Sequence, residues 1–141
     1  MAESFVLEYP DGLRWQIDPP VDSYGDGYVH TARVEIQAAG LTAATSATVE
    51  GTGTRDLADF FADLAADWRG WTGVRRWRAM EDEMVIEARH DGRANVQVAV
   101  TIKRPWRPYA EDAWSAHAVF ALEAGEQLSR VARDLATLLR F

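Results

Sequence analysis

Residues 67–77 read DWRGWTGVRRW, and this stretch marks the point where a helical pattern gives way to an alternating one. Three tryptophans fall within it, among arginines and glycines. Large aromatic rings bury much apolar surface and dominate core energetics. We therefore expect Trp68, Trp71 and Trp77 to pack where a helix meets a sheet. The alternative is a stacking platform, which would need several of these rings to be exposed together.

On the N-terminal side of this stretch, apolar residues recur at helical spacing. They are Leu57, Phe60, Phe61, Leu64 and Trp68. The spacing predicts a helix with Thr54 as its N-cap and Gly70 as its stop, because a threonine oxygen accepts a first-turn N–H and glycine favours the left-handed conformation that ends helices. On the C-terminal side, alternation over residues 74–79 predicts a short strand.

Two runs of alternating residues begin the chain, at 5–9 and 13–17. Their apolar faces coincide only if Tyr9 opposes Leu13, because register parity decides which side of a sheet each residue takes. This parity predicts a three-residue loop, Pro10-Asp11-Gly12, in which proline suits the first turn position and glycine the closing left-handed one.

A polar segment at 18–27 precedes two longer alternating runs. Parity predicts a strand over 28–38, a two-residue turn at Ala39-Gly40, and a smaller, Thr-rich strand over 41–49. The buried face of the first of these strands is predicted to carry Tyr28, His30, Ala32, Val34, Ile36 and Ala38.

The second half of the chain repeats this arrangement. Strands are predicted at 84–89 and 96–102, joined by a three-residue loop, His90-Asp91-Gly92, that Gly92 closes. A further strand follows, and a helix over 126–141 includes a favourable i, i+4 pair between Glu126 and Arg130. The apolar faces of these two elements are Trp114, Ala116, Ala118, Phe120 and Leu122, and then Leu128, Val131, Leu135, Leu138 and Leu139.

The predicted order is ββββαββββα, which indicates an α+β fold. We expect a curved antiparallel β-sheet of about eight strands with two α-helices on its apolar face. The length of 141 residues predicts a single domain over 1–141. The two ββββα halves are consistent with a duplication.

Composition limits the classes of partner. The formal net charge is −7, and a negative field repels phosphate backbones and favours basic partners, so we expect no nucleic-acid binding. No apolar run approaches the ~20 residues of a membrane helix. There are no cysteines, which excludes disulfides and thiolate metal sites. The first residues, MAESFVLEYP, lack the features of a secretory signal, so we expect a cytoplasmic protein.

No motif in the chain specifies a chemistry. HExxH and GxSxG are absent, and GTG at 51–53 lacks the third glycine of a dinucleotide fingerprint because position 56 is aspartate. His30 and His117 fall in predicted strands and His90 in a turn, with no second metal ligand nearby in sequence. We expect no enzymatic activity, no cofactor and no metal site. The sequence does not indicate an oligomeric state.

The best organised charged feature is an acidic ridge on the first helix. Its members are Asp56, Asp59, Asp63 and Asp67, which fall within about 80° of arc at 3.6 residues per turn. One interpretation is a solubilising face, whose first aspartates also favour the helix dipole. The other is a docking ridge for a basic partner, where electrostatic attraction raises the encounter rate.

Five segments carry a resemblance to known proteins. They read LADFFADLAADWRGWTGVRRW (57–77), IEARHDG (86–92), VQVAVTI (96–102), WSAHAVFALEAGEQL (114–128) and LATLLRF (135–141). Over roughly the last 85 residues the sequence resembles a family of small uncharacterised actinobacterial proteins, and it also resembles the WapI-type immunity proteins of bacterial polymorphic toxin systems. The DWRGW stretch and the HDG hairpin are the most specific parts.

The resemblance implies a protein that binds and neutralises a cognate toxin in the producing cell, and it implies no catalytic residues. A basic toxin would suit the acidity of this chain. The alternative function is a small-molecule-binding or catalytic domain with a Trp-lined pocket between sheet and helices. A further alternative is single-stranded nucleic-acid binding through the Arg-rich loop at 103–107. A filled core with a flat, charged surface would favour the toxin-binding protein over these alternatives.

Overall fold

The computed structural model describes residues 3–50, 56–104 and 114–139. Over these ranges the α+β class and the order ββββαββββα are confirmed, with one two-residue strand in addition. The elements are β1 (Phe5–Glu8), β2 (Arg14–Ile17), β3 (Val21–Asp22), β4 (His30–Ala38), β5 (Leu41–Glu50), α1 (Leu57–Ala66), β6 (Val74–Arg78), β7 (Met84–His90), β8 (Asn95–Lys103), β9 (Ser115–Glu123) and α2 (Glu126–Leu138). The strands form two antiparallel sheets.

The first sheet joins β1, β2, β3, β4 and β5. The register pairs Leu7 with Trp15, and the Tyr9 N–H donates to the Leu13 carbonyl at 2.8 Å. The predicted three-residue loop is therefore confirmed, and Gly12 closes it with φ of 94°. A non-glycine residue there would be strained, because its Cβ disfavours positive φ.

Strands β4 and β5 confirm the second predicted turn, since Ala38 pairs with Leu41 across Ala39-Gly40. The start of the predicted strand is wrong. β4 begins at His30, and Tyr28 is exposed rather than buried because it belongs to the loop that joins β3 to β4. The short strand β3 within the predicted polar segment pairs with the first residues of β4.

The second sheet has the order β6-β7-β8-β9. Here the predicted loop His90-Asp91-Gly92 is wrong in its placement. His90 is the last residue of β7 and pairs with Val96, and the Asp91 N–H donates to the Asn95 carbonyl at 3.0 Å. The observed loop lies two residues later than predicted, and a shift of two residues leaves every side chain on its predicted face. Parity therefore predicts the faces of the strands but not the position of the loop. Gly92 has a positive φ of 78° and is the first residue of the observed loop, 92–94, rather than the last.

Helix α1 begins two residues later than predicted. Its N-cap is Asp56, whose carboxylate accepts the Ala58 N–H at 2.8 Å. The predicted cap, Thr54, lies outside the described residues. The helix ends at Ala66 with Asp67 as its C-cap, before the predicted stop at Gly70. Gly70 instead forms a turn after the helix, where its N–H donates to the Asp67 carbonyl.

Helix α2 confirms its predicted apolar stripe, since all five of those side chains are buried. The predicted ion pair is present, with 3.6 Å between Arg130 and Glu126. The Glu123 carboxylate accepts backbone N–H groups from Gly125, Glu126 and Gln127, which would otherwise have no partner at the helix start. These hydrogen bonds, that from Gly125 foremost, lower the pKa of Glu123.

A single cluster of buried side chains joins both sheets and both helices. Trp15 of β2 lies at its centre, with ring centroids 6.2 Å from Phe61 of α1 and 6.3 Å from Phe120 of β9. The two helices pack on each other, and β5 of the first sheet contacts β8 of the second. No helix in the described ranges is long and apolar enough to span a membrane.

Candidate functional site

The three tryptophans of the 67–77 stretch have different environments. Trp77 is buried, with 2% of its surface exposed, and Trp71 is partly buried against the core. Trp68 is 46% exposed. The prediction that all three pack in the core is therefore wrong for Trp68, because the helix ends at Ala66 and the chain leaves the buried stripe before residue 68 is reached.

His90 fixes the backbone that carries Trp68. The Gly92 N–H donates to His90 Nδ1 at 2.9 Å, so Nδ1 is an acceptor. The proton therefore lies on Nε2, which donates to the Trp68 carbonyl at 2.8 Å. The imidazole is fully buried and meets the Trp71 ring edge-on at 5.3 Å. His90 thus connects the β7–β8 turn to the segment after α1, a structural role that spacing in the sequence does not indicate.

Arg75 of β6 contacts the same segment, the residues that follow α1. Its guanidinium lies 4.8 Å from the Trp71 ring centroid and donates to the Asp67 carboxylate at 2.7 Å. Arg76 and Arg78 point to the opposite face, as the alternation predicts, and each pairs with a carboxylate there. The basic run at 75–78 is therefore divided between two faces of the sheet and does not form one cationic patch.

The four aspartates of the acidic ridge have different environments. Asp56 caps α1 and is half-buried, and Asp67 is paired with Arg75. Asp59 and Asp63 are exposed on the outer face of the helix. Asp63 also lines a small open cleft of about 270 Å³ with Arg75 and Arg76. Asp59 and Asp63 are thus the ridge members that the middle of the helix presents to solvent.

A second accessible surface is the outer face of the four-stranded sheet, which none of the described helices or strands covers. Arg76 holds Glu87 through two hydrogen bonds, and this contact lowers the pKa of Glu87. Thr101 and His117 are hydrogen-bonded at 2.8 Å, and Val119 is 40% exposed. The sequence shows which side chains face outward, but only the tertiary structure shows that no described helix or strand packs on this face.

Four grooves lined by described residues are open to solvent. The largest of them, about 610 Å³, lies between the start of β1 and the end of α2. Another, about 420 Å³, lies between the starts of β5 and β9 and includes Trp114. The remaining two flank β6 and the β7–β8 turn. None of these four brings Trp15, Trp71 and Trp77 together around a cavity.

The Glu83 carboxylate is buried, and its partners are structural. It accepts the N–H and hydroxyl of Thr48 at 3.0 and 3.1 Å and the Glu81 N–H at 2.6 Å. Glu83 thereby connects β5 to the β6–β7 turn. Within the described ranges, no group of three or more His, Asp or Glu side chains is arranged to hold a metal ion.

Comparison with known protein families finds a match, whereas the other two comparisons do not. No curated protein and no solved structure matches the chain. Residues 14–141, which include all of the tryptophans and the acidic ridge, match the family described as "Family of unknown function (DUF6228)". Because this match extends over most of the 141 residues, the chain belongs to the DUF6228 family.

Proposed function

We propose that this DUF6228 protein is a non-enzymatic, immunity-type protein that binds and neutralises a cognate toxin in the cytoplasm of an actinobacterium. The observation that carries the proposal is the position of the large rings. Trp15 and Trp77 fill the core, with 0% and 2% of their surfaces exposed. A pocket lined by these rings would require them to face a cavity, so the geometry favours recognition by the outer surface over the small-molecule alternative.

The chemistry of the surface suggests the partner. With a net charge of −7, the molecule attracts a basic protein over long range. Asp59 and Asp63 lie exposed on α1. Asp56 caps the start of this helix, and Asp67 pairs with Arg75 at its end. We infer that Asp59 and Asp63 provide the ridge's contribution to docking, and that Asp56 and Asp67 maintain the helix that presents them.

A genetic test addresses the function. The toxin domain of a large secreted protein encoded immediately upstream is produced in a host cell with and without this chain. The proposal predicts that growth stops with the toxin alone and resumes when the chain is produced with it. If growth stays arrested although the chain is folded and abundant, this proposal is wrong.

A kinetic test addresses the ridge. Asp59→Arg combined with Asp63→Arg should slow association with that toxin by roughly tenfold at low salt, because steering falls when the local charge changes sign. Glu81→Arg combined with Asp134→Arg is the matched control, since it makes the same change in net charge at two other exposed carboxylates. An equal slowing by both pairs would show that net charge matters and the ridge does not.

A further inference from the structure

The outer edge of β5 carries backbone groups that none of the other described strands uses. The Asp18 N–H donates to the Arg33 carbonyl at 2.9 Å, so Arg33 directs its hydrogen bonds toward β2 and away from its β5 partner, Ser46. Alternation then directs the N–H and C=O groups of Thr42, Ala44 and Ser46 away from β4. Among the described residues, none of these groups has a backbone partner.

Thr48, two residues after Ser46, confirms that alternate residues of β5 direct their backbone groups away from β4. It also shows where the open edge ends. Its N–H also points away from β4, and the buried Glu83 carboxylate accepts it at 3.0 Å. The register shift in the β4–β5 pair lies at the same end, between His30 and Thr31. The far end of β5 is therefore closed, and the open part of the edge extends from Thr42 to Ser46.

This open part lacks the features that normally protect edge strands. Proteins blunt such edges with charges, prolines, bulges or short strands. β5 has ten residues, and residues 41–49, LTAATSATV, contain no charge and no proline. Thr42 and Ser46 are exposed, and an open groove of about 420 Å³ lies beside residues 41–44.

The other four edge strands differ from β5 in this respect, and β3 has only two residues. β1 has four residues and ends in Glu8, and β6 has three arginines among its five residues. On β9 the Tyr9 hydroxyl donates to the Ala121 carbonyl, which occupies part of that edge. Of the five edge strands in the described sheets, β5 is thus the one suited to adding a strand.

We propose that the edge of β5 from Thr42 to Ser46 pairs antiparallel with the same edge of a second copy of this chain. The outward N–H and C=O groups belong to Thr42, Ala44 and Ser46, and Ala44 is the middle residue of the three. A two-fold axis at Ala44 therefore pairs Ala44 with its equivalent and Thr42 with the partner's Ser46. Small side chains allow this approach. The neutrality of the strand favours a second copy over a basic partner. Each copy carries a charge of −7, and an uncharged edge avoids direct repulsion between two acidic molecules.

The oligomeric state tests this pairing without any knowledge of the toxin. Light scattering after size-exclusion chromatography should give twice the 15.8 kDa mass of the chain at high concentration. Ala44→Pro should give the monomer mass, because proline removes an outward N–H without breaking the β4–β5 ladder. Ala44→Lys should do the same by placing like charges opposite each other. Circular dichroism confirms that each variant is folded.

Cysteine crosslinking tests the register, since the natural chain has no cysteine. In the proposed pair, the two Cα atoms of residue 44 lie about 5.5 Å apart, within the range of a disulfide. Ala44→Cys should therefore form a covalent dimer under mild oxidation. Thr42→Cys is the matched control on the same strand, because its two copies lie about 13 Å apart. A monomeric natural protein, a folded Ala44→Pro variant that still dimerises, or equal crosslinking at 42 and 44 would overturn the proposal.

Discussion

Trp68 and Trp77 belong to one short segment, yet they have opposite environments. Trp77 is 2% exposed in the core of the second sheet, whereas Trp68 is 46% exposed with Arg69 beside its ring. Trp77 is buried because strand alternation continues through it. Trp68 is exposed because the helical pattern to which it belongs stops at Ala66. Periodicity predicts burial only for as long as the element lasts.

The ring and the main chain of Trp68 also have different roles. The ring contributes little to the core, but the carbonyl of the same residue accepts a hydrogen bond from the buried His90. A residue can thus be fixed by its main chain while its side chain stays available to a partner. Four substitutions test this division, beginning with the one expected to have the largest effect.

Trp77→Ala should lower the free energy of unfolding by about 3–5 kcal/mol, because it leaves a large cavity in a close-packed core. Urea denaturation followed by circular dichroism measures this change. If the variant loses less than about 1 kcal/mol, the ring does not fill the core and the contrast with Trp68 disappears.

His90→Phe should lower the free energy of unfolding by about 1–3 kcal/mol, because it leaves the Trp68 carbonyl and the Gly92 N–H without their partner. The matched control is His117→Phe, the same change at an exposed histidine on the outer sheet face. Thermal unfolding compares the two variants. Equal losses would mean that His90 does not hold the segment after α1.

Asp91→Asn tests the turn that positions His90. The N–H groups of Asn95 and Arg93 donate to the Asp91 carboxylate and lower its pKa from the ordinary 3.8. A lowered folded pKa stabilises the protein above the unfolded value, and this contribution is lost as the pH falls through the folded value. Between about pH 6 and about pH 2.5, the natural protein should therefore lose more stability than the variant. Parallel pH profiles of urea unfolding would contradict this role.

Trp68→Ala should have the smallest effect, within about 0.5 kcal/mol of the natural protein, because its ring is largely in solvent. The same urea experiment that measures Trp77→Ala provides the value. A loss comparable to that of Trp77→Ala would place the ring in the core after all.

Much of the fold follows from the sequence. Alternation and parity predict the two hairpin turns of the first sheet and the faces of most residues in the long strands, because a period of two leaves only two choices of side. Tyr28, Leu41 and Trp114 were predicted on buried faces and are exposed, because they lie at or beyond the ends of their strands. The division into two sheets does not follow, since it depends on contacts between distant strands such as β5 and β8. The cap of α1 was misplaced because Thr54 and Asp56 are both good N-caps, and only the structure shows the bond to Ala58.

The candidate site is predicted less completely. Helical spacing places the four aspartates on one ridge, but it does not show that Asp67 pairs with Arg75 from another element. The buried role of His90 has no signal in the sequence, because its partners lie in two separate segments. Contacts between distant residues decide which charges remain available, and a single sequence does not contain that information.

The most direct test of the central claim is hydrogen exchange at the tryptophan indole N–H groups, observed by NMR and assigned with single Trp→Phe variants. The claim is that Trp15 and Trp77 fill the interior while recognition belongs to the outer surface. It predicts that these two signals persist in D₂O long after that of Trp68 has vanished. If the indole signal of Trp77 exchanged as fast as that of Trp68, the ring would be open to solvent, and the ligand-pocket alternative would explain the protein better.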